Sequence, residues 1–380
     1  MPINKPLLIM IGLSLLMTGG CALPGLSPGE QILEEDSREI FLPTTPTSPT
    51  AFSQTPTLDP TSTSLPTPTP TEIVFDIGNE LTIDYLRELD ITGTEITIEE
   101  RLSPGYNYQR FLASYLSEGN KIYGLLTVPY GGAPEDGFKA VVFNHGYIPP
   151  DVYQTLERYS AYVNYLAQSG FVVFKIDYRG HGRSEGYPSG SYFSPGYTID
   201  AISALKSLQT LDYVDPNGIG MWGHSMAGNL VLRAMLVEPD IQAGVIWSGA
   251  VYSYEDLVTY GISDNTYRPP APPENQEEGQ PVRRSQLILE TYGRPDLENP
   301  YWRAVSLTEN LSYLTSAIQI HHAENDLVVN INYSYGLAEN LQEKNKPYQF
   351  YIYEGGGHNL ISPYFDQAML RTVQFFEDNL

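Results

Sequence analysis

The chain has 380 residues, of which 41% are hydrophobic, so it can bury the core of one large domain and is not disordered throughout. Acidic residues outnumber basic ones by 45 to 21, which gives a formal net charge of −24. The phosphates of a nucleic acid would repel so acidic a protein, so we expect no nucleic-acid partner. The single cysteine, Cys21, excludes an internal disulfide and a cysteine-based zinc site.

The first 21 residues have the pattern of an export signal. One lysine precedes an apolar run over residues 7–17, which is much shorter than the roughly 20 residues that a bilayer span needs. Two glycines stand directly before Cys21, an arrangement that resembles the lipobox of bacterial lipoproteins. The resemblance implies a lipid on Cys21 and a tether to the outer face of the cytoplasmic membrane or the cell surface. An ordinary signal peptide and a secreted product is the alternative.

Residues 22–71 are predicted to be a disordered linker. Between Pro43 and Thr71, 23 of 29 residues are Pro, Thr or Ser. Such a segment has little apolar surface to bury and favours an extended, partly polyproline conformation. We therefore expect a spacer between the membrane and a folded domain, followed by an N-terminal extension over residues 72–107.

From residue 108 to the end, strand-like and helix-like runs alternate. Two strand-like runs, 108–116 and 121–129, predict a hairpin across the polar turn at 117–120. Buried strands and amphipathic helices are then predicted in this order: strand 139–144, helix 155–168, strand 171–177, helix 198–211, strand 218–222, helix 226–237, strand 243–247, strand 317–322, helix 332–343, strand 348–353 and helix 362–379. This alternation predicts an α/β domain whose mainly parallel sheet has helices on both faces.

One stretch, at about 251–300, breaks the alternation because it is polar and rich in proline. Long irregular insertions in compact domains are commonly lids or binding loops, so we interpret this segment as a lid insertion.

The strongest catalytic signal is Gly223-His224-Ser225-Met226-Ala227-Gly228, where a predicted strand runs directly into a predicted helix. A serine at such a corner presents its hydroxyl on a tight turn, and small neighbours are needed because backbone atoms crowd there. Ser225 is therefore the candidate nucleophile. The N–H of Met226 lies at the helix start, where a developing oxyanion is favoured.

A serine hydroxyl needs a base, and the base needs an acid to orient it. In enzymes with a nucleophile on a strand-to-helix turn, the acid and then the histidine follow along the chain. Asp326 follows the strand at 317–322 and is the candidate acid, with Glu324 as the alternative. Of the six histidines, only His358 follows that acid with a strand between them, so it is the candidate base.

Another motif, Asn144-His145-Gly146-Tyr147, ends the first buried strand of the parallel region. A glycine there lets the backbone turn towards the nucleophile, so the Tyr147 N–H is predicted as the second oxyanion donor beside Met226. The pair His321 and His322 does not suggest a metal site, because adjacent residues of a strand point to opposite faces. We expect no cofactor and no catalytic metal.

Taken together, these motifs resemble the α/β-hydrolase superfamily. More narrowly they resemble the catalytic domain of the prolyl oligopeptidase family of serine peptidases and related acyl esterases, over residues 108–380. The resemblance implies an α/β-hydrolase fold with an eight-stranded type of sheet. Prolyl oligopeptidases carry a β-propeller before this domain, and the 35 residues 72–106 are too few for one. Substrate selection would then depend on the 251–300 insertion.

The sequence thus predicts a serine hydrolase that cleaves small esters or short peptides through an acyl-enzyme, with the triad Ser225, Asp326 and His358. Whether the scissile bond is an ester or an amide stays open, as does the oligomeric state. A non-catalytic surface-binding module is the alternative from another class. A dehalogenase or epoxide hydrolase would have an aspartate at the nucleophile's position.

Overall fold

A computed structural model describes residues 75–263 and 284–380. The predicted export signal with Cys21, the predicted linker and residues 264–283 lie outside this description. Within the described residues, every helix is too short or too polar to span a bilayer.

The described residues form one nine-stranded sheet in the order β1-β2-β3-β5-β4-β6-β7-β8-β9. Pairing is antiparallel among β1, β2, β3 and β5, and parallel from β5 across to β9. The strands are β1 (Thr97–Leu102), β2 (Tyr108–Ser117), β3 (Asn120–Pro129), β4 (Phe138–Asn144), β5 (Val172–Ile176), β6 (Val214–His224), β7 (Ala243–Trp247), β8 (Ala317–Ala323) and β9 (Tyr348–Tyr353).

Helices connect the parallel strands and cover the sheet. They are α1 (Ile83–Glu88), α2 (Ser160–Gln168), α3 (Gly196–Leu208), α4 (Met226–Val237), α5 (Tyr254–Tyr260), α6 (Arg284–Tyr292), α7 (Pro300–Val305), α8 (Asn332–Glu343) and α9 (Tyr364–Asn379), with short 3₁₀ turns at Asn79–Leu81, Leu307–Tyr313 and Gly357–Asn359.

Two apolar cores lie on opposite faces of the sheet. Neighbouring residues of β6 show the division, since Met221 packs in one core and Trp222 in the other. Helices α3, α4 and α8 contribute to the first core, whereas α2 and α9 contribute to the second. Because successive side chains of a strand point to opposite faces and both faces are covered, the parallel strands are mostly apolar, which is why most of them appear in the sequence as largely apolar runs.

The predicted α/β-hydrolase architecture is confirmed, and the described part of the sheet has nine strands, where the resemblance implied an eight-stranded type. The additional strand is β1, which comes from the segment 72–107 and pairs with β2 along the outer edge. Its register shifts between Ile98 and Glu100, so a bulge interrupts the pairing. The sequence of β1 gave no strand signal because half of its residues are charged.

The segment interpreted as a lid begins with α5 and ends beyond α6, and its central part falls outside the described residues. Its role as a lid stays a prediction.

Candidate active site

Ser225 lies at the corner between β6 and α4, as the motif predicts. Its backbone has φ 57° and ψ −120°, a conformation that residues other than glycine rarely adopt. Its N–H donates to the carbonyl of Trp247 at 2.9 Å. Gly223 is required before it, because a Cβ there would lie 2.6 Å from the carbonyl oxygen of Ala227. The crowded turn thus holds the serine outside both the strand and the helix.

Asp326 and His358 lie on the loops that follow β8 and β9. The Nδ1 atom of His358 is 2.8 Å from Oδ2 of Asp326, which is the geometry of an acid that orients a histidine. Since Nδ1 faces the carboxylate, Nε2 is the ring nitrogen left for a proton from substrate or nucleophile. The alternative acid, Glu324, is exposed, and its N–H donates to the carbonyl of Tyr353.

The Asp326 carboxylate is held by four N–H groups. His358 and His322 approach Oδ2, the latter at 3.2 Å, while the backbone N–H groups of Val328 and Val329 donate to Oδ1 at 2.8 and 3.0 Å. Burial by itself raises the pKa of this carboxyl, but the hydrogen bonds from the two histidines and from the backbone outweigh it and hold the pKa well below its usual range. Asp326 is therefore an anion at neutral pH.

Ser225 and His358 line the same cavity, which has a volume of about 280 Å³. In this structure the Ser225 hydroxyl is not hydrogen-bonded to His358, and in ligand-free enzymes such contacts often tighten only when substrate binds. The other lining residues are Gly146, Tyr147, Ile148, Arg158, Tyr159, Tyr162, His224 and Asn359.

Both predicted oxyanion donors belong to segments that adjoin Ser225. Met226 is the first residue of α4, and Tyr147 lines the cavity with Ser225. Gly146 passes so close that a Cβ built on it would lie 3.1 Å from Cβ of Ser225 and 2.8 Å from the Tyr159 hydroxyl. Glycine is needed here for this close approach, which brings the next peptide unit beside the nucleophile.

Sequence analysis did not assign a role to three side chains that contact the active-site loops, namely those of Tyr159, His224 and His322. Tyr159 lies between the N–H of Gly146 and the ring of His224, and His322 is the second imidazole on Asp326. His224 was visible in the nucleophile motif, but its contacts join residues far apart in the chain. No local pattern reveals such contacts.

The two adjacent histidines of β8 point apart, as expected of a strand. His321 contacts the Tyr353 hydroxyl and the Gln319 side chain, whereas His322 contacts Ser334, the Val329 carbonyl and Asp326. The described part of the chain contains no group of three or more His, Cys, Asp or Glu side chains that could hold a metal ion.

Comparison with known proteins decides the family. Residues 136–363, more than half of the chain, match the family described as serine aminopeptidase, S33. The chain belongs to this family. It is a serine hydrolase, and among its relatives are both peptidases and esterases.

Similar proteins include the uncharacterized peptidase YtmA of Bacillus subtilis (strain 168), which is 26% identical over 67% of this chain and 88% of its own length. Among solved structures, acetyl xylan esterase 1 from Thermoanaerobacterium sp. JW/SL YS485 has a TM-score of 0.55 at 17% identity, over 79% of this chain and 92% of the esterase. Dipeptidyl peptidase 4 of Porphyromonas gingivalis has a TM-score of 0.54 at 22% identity, over 72% of this chain and 36% of the peptidase. These structural likenesses support the fold.

Proposed function

We propose that the protein cleaves small carboxylic esters or short peptides through an acyl-enzyme formed on Ser225. His358 takes the hydroxyl proton through Nε2 and returns it to the leaving group, while Asp326 fixes the ring and balances the charge of the imidazolium. The backbone N–H groups of Tyr147 and Met226 stabilise the oxyanion. Water then attacks the acyl-enzyme with His358 as base, the bond between the acyl carbon and the Ser225 oxygen breaks, and His358 returns the proton to that oxygen.

One observation carries this proposal. The Nδ1 atom of His358 lies 2.8 Å from a buried, ionised carboxylate, and the same histidine lines one cavity with a serine on a strained strand-to-helix turn. A histidine oriented in this way in the same cavity as a serine hydroxyl is the arrangement that activates a serine.

The test is covalent labelling of the full chain with a fluorophosphonate probe. Ser225→Ala should abolish labelling and lower hydrolysis of 4-nitrophenyl acetate by at least ~10³-fold, because the nucleophile is gone. Ser248→Ala is a matched control, since Ser248 is a buried serine directly after β7, the strand that pairs with β6. Labelling that persists in Ser225→Ala, or disappears only in Ser248→Ala, would refute the assignment.

The charges around the cavity favour neutral or anionic substrates over peptides with a free amino terminus. Among the ten described residues that line it, Arg158 is the only one with a permanent charge, and none carries a carboxylate. An α-ammonium group taken out of water needs an anionic partner. We therefore propose esters or N-acylated amides as substrates.

A small substrate panel examines this preference. We expect faster cleavage of 4-nitrophenyl acetate and of the 4-nitrophenyl monoester of succinic acid than of alanine 4-nitroanilide, with N-acetylalanine 4-nitroanilide preferred over the free amine. A preference for the free amine would contradict the proposed substrate class while leaving the acyl-enzyme chemistry intact.

For localisation, we propose export and a lipid tether on Cys21, based on the short apolar run and the two glycines before the only cysteine. Mass spectrometry of the mature amino terminus tests this, because a diacylglycerol adduct on Cys21 is expected. An unmodified terminus elsewhere would instead favour an ordinary secreted protein.

A further inference from the structure

The oxyanion loop, residues 144–147, and the base loop, residues 355–359, are joined by side chains. We propose that Tyr159 and His224 are positioning residues that hold these two loops in register, so that the oxyanion donor and the base meet the same substrate carbonyl. This inference rests on the proposed function, since it assigns a purpose within the same site.

A continuous chain of hydrogen bonds connects the two loops. The Gly146 N–H donates to the Tyr159 hydroxyl at 2.9 Å, and that hydroxyl is 2.8 Å from Nδ1 of His224. The other nitrogen of His224, Nε2, is 2.8 Å from the carbonyl oxygen of His358. The bonds thus run without a break from Gly146 in the oxyanion loop, through Tyr159 and His224, to the backbone carbonyl of His358 in the base loop.

The direction of every bond in this chain follows from chemistry. A carbonyl only accepts, so Nε2 of His224 must carry the proton that reaches His358. Burial lowers the pKa of His224 to about 3, so the ring is neutral and its Nδ1 is an acceptor. The Tyr159 hydroxyl must therefore donate to Nδ1, which leaves its oxygen free to accept from Gly146.

The two peptide units on either side of Gly146 are also held by their carbonyl oxygens. Nδ1 of His145 is 2.7 Å from the carbonyl oxygen of Gly146, and the Tyr178 hydroxyl donates to the carbonyl of His145 at 2.9 Å. Since the Gly146 carbonyl only accepts, Nδ1 of His145 must carry a proton. Burial holds the pKa of His145 well below its usual range, so this ring is neutral as well.

These contacts fix the direction of the oxyanion donor. The C=O of Gly146 and the N–H of Tyr147 belong to one planar trans peptide and point in opposite directions. Holding that carbonyl against His145 therefore points the Tyr147 N–H the other way. An oxyanion hole stabilises the transition state because its donors are oriented beforehand, so this frame contributes to rate and not to substrate affinity.

The two histidines should consequently be opposite tautomers, which can be observed without any activity. We expect ¹⁵N–¹H spectra of the full chain, labelled at its six histidines, to show His224 protonated at Nε2 and His145 protonated at Nδ1 at pH 7. Assignments follow from signals lost in His224→Phe and His145→Asn. A protonated Nδ1 on His224, or a doubly protonated ring, would overturn the proposal.

Removing one hydroxyl tests the function of the frame. Tyr159→Phe should lower kcat on 4-nitrophenyl acetate roughly tenfold with KM within about twofold, and should weaken binding of a boronic acid that forms a tetrahedral adduct by a similar factor. Tyr108→Phe is the control, because it also removes a tyrosine hydroxyl that contacts a side chain, here that of Asn164, outside the cavity.

A double variant separates positioning from general damage. In a His224→Phe background the Tyr159→Phe change should have little further effect on kcat, since both act through one chain of bonds. Additive losses, or a folded Tyr159→Phe protein that matches Tyr108→Phe in kcat and boronate affinity, would refute the proposal. An inactive wild-type protein would instead refute the proposed function, and the tautomer measurement would then still show whether this chain of hydrogen bonds joins the two loops.

Discussion

Two buried aspartates follow parallel strands of the same sheet, yet their chemistry differs. Asp326 follows β8 and Asp177 follows β5, and neither side chain is exposed to solvent. The pKa of Asp326 lies well below the usual range of a carboxyl, whereas that of Asp177 is raised to about 7. Burial alone therefore does not decide the charge of a carboxyl at this edge of the sheet.

The difference lies in the hydrogen-bond donors. Four N–H groups, two of them on imidazole rings, point at Asp326. Asp177 receives hydroxyl groups from Tyr153 and Thr155, and its charged neighbour Lys175 is itself buried and donates to the carbonyl of Arg158. For Asp177, burial is the largest influence and raises the pKa, while the hydroxyls and Lys175 only partly offset it.

The comparison indicates which of the two carboxyl groups can orient a catalytic histidine. Only a carboxylate that stays ionised can orient an imidazole and balance its positive charge. Asp177 is a structural member of a polar cluster under the oxyanion loop, where Tyr153 stacks on His145 at 4.4 Å between ring centroids.

The largest expected effect comes from neutralising each carboxylate in turn. Asp326→Asn should lower kcat by roughly 10³–10⁴-fold, because an amide leaves His358 without its orienting anion. Asp177→Asn should change kcat by less than about threefold, since Asp177 contacts neither His358 nor the cavity.

Steady-state kinetics on 4-nitrophenyl acetate, with circular dichroism to confirm folding, measures both variants. Equal losses of kcat in Asp326→Asn and Asp177→Asn would mean that the different hydrogen-bond donors around the two carboxylates do not give them different roles.

A smaller effect is expected from removing one donor. His322→Leu takes away the imidazole that lies 3.2 Å from Asp326, and a hydrogen bond to a charged group contributes about 1.5–3 kcal/mol, so kcat should fall by roughly 10- to 100-fold. His321→Leu is the matched control on the other face of β8, where the ring contacts Gln319 and Tyr353.

We expect His321→Leu to lower the free energy of unfolding in urea while kcat stays within about twofold. If both variants lose the same fraction of kcat, the prediction that His322 supports activity through its contact with Asp326 is wrong.

The smallest effect concerns pH. A native pKa of about 7 exceeds the ordinary value of about 3.9, so between these limits the native state binds more protons than the unfolded state. Asp177 therefore makes the free energy of unfolding fall as pH rises from about 4 to 7.

Relative to Asp177→Asn, the wild-type protein should lose about 1 kcal/mol of stability per pH unit between pH 5 and 7. Urea unfolding of both proteins at pH 5, 6 and 7 measures this difference. A difference that stays constant or grows with pH would contradict the raised pKa of Asp177.

The sequence predicted the sheet and the three residues proposed as a triad because each of them leaves a local mark. Continuous apolar runs mark the parallel strands, and small residues around Ser225 mark the turn. Asp326 and His358 follow from their order after two strands, and the structure brings them to 2.8 Å.

The framework of the site was not predictable in this way. Tyr159 precedes a helix that was expected to start at residue 155 and starts at Ser160, and Tyr159 itself has φ 60°. Its partners, Gly146 and His224, are 13 and 65 residues away. Such bonds depend on how α2 packs on the sheet, which periodicity does not encode.

The outermost strand, β1, has a consequence for how the molecule behaves among its neighbours. A free strand edge offers unpaired backbone groups to which another chain can add and start aggregation. Here Glu100 and Arg101 place charges on the edge strand, Glu99 pairs inward with Lys121, and a shift of register between Ile98 and Glu100 interrupts the strand. Among the described residues this border of the sheet is unpaired, and its charges and interrupted register disfavour the addition of strands from other copies at high local density.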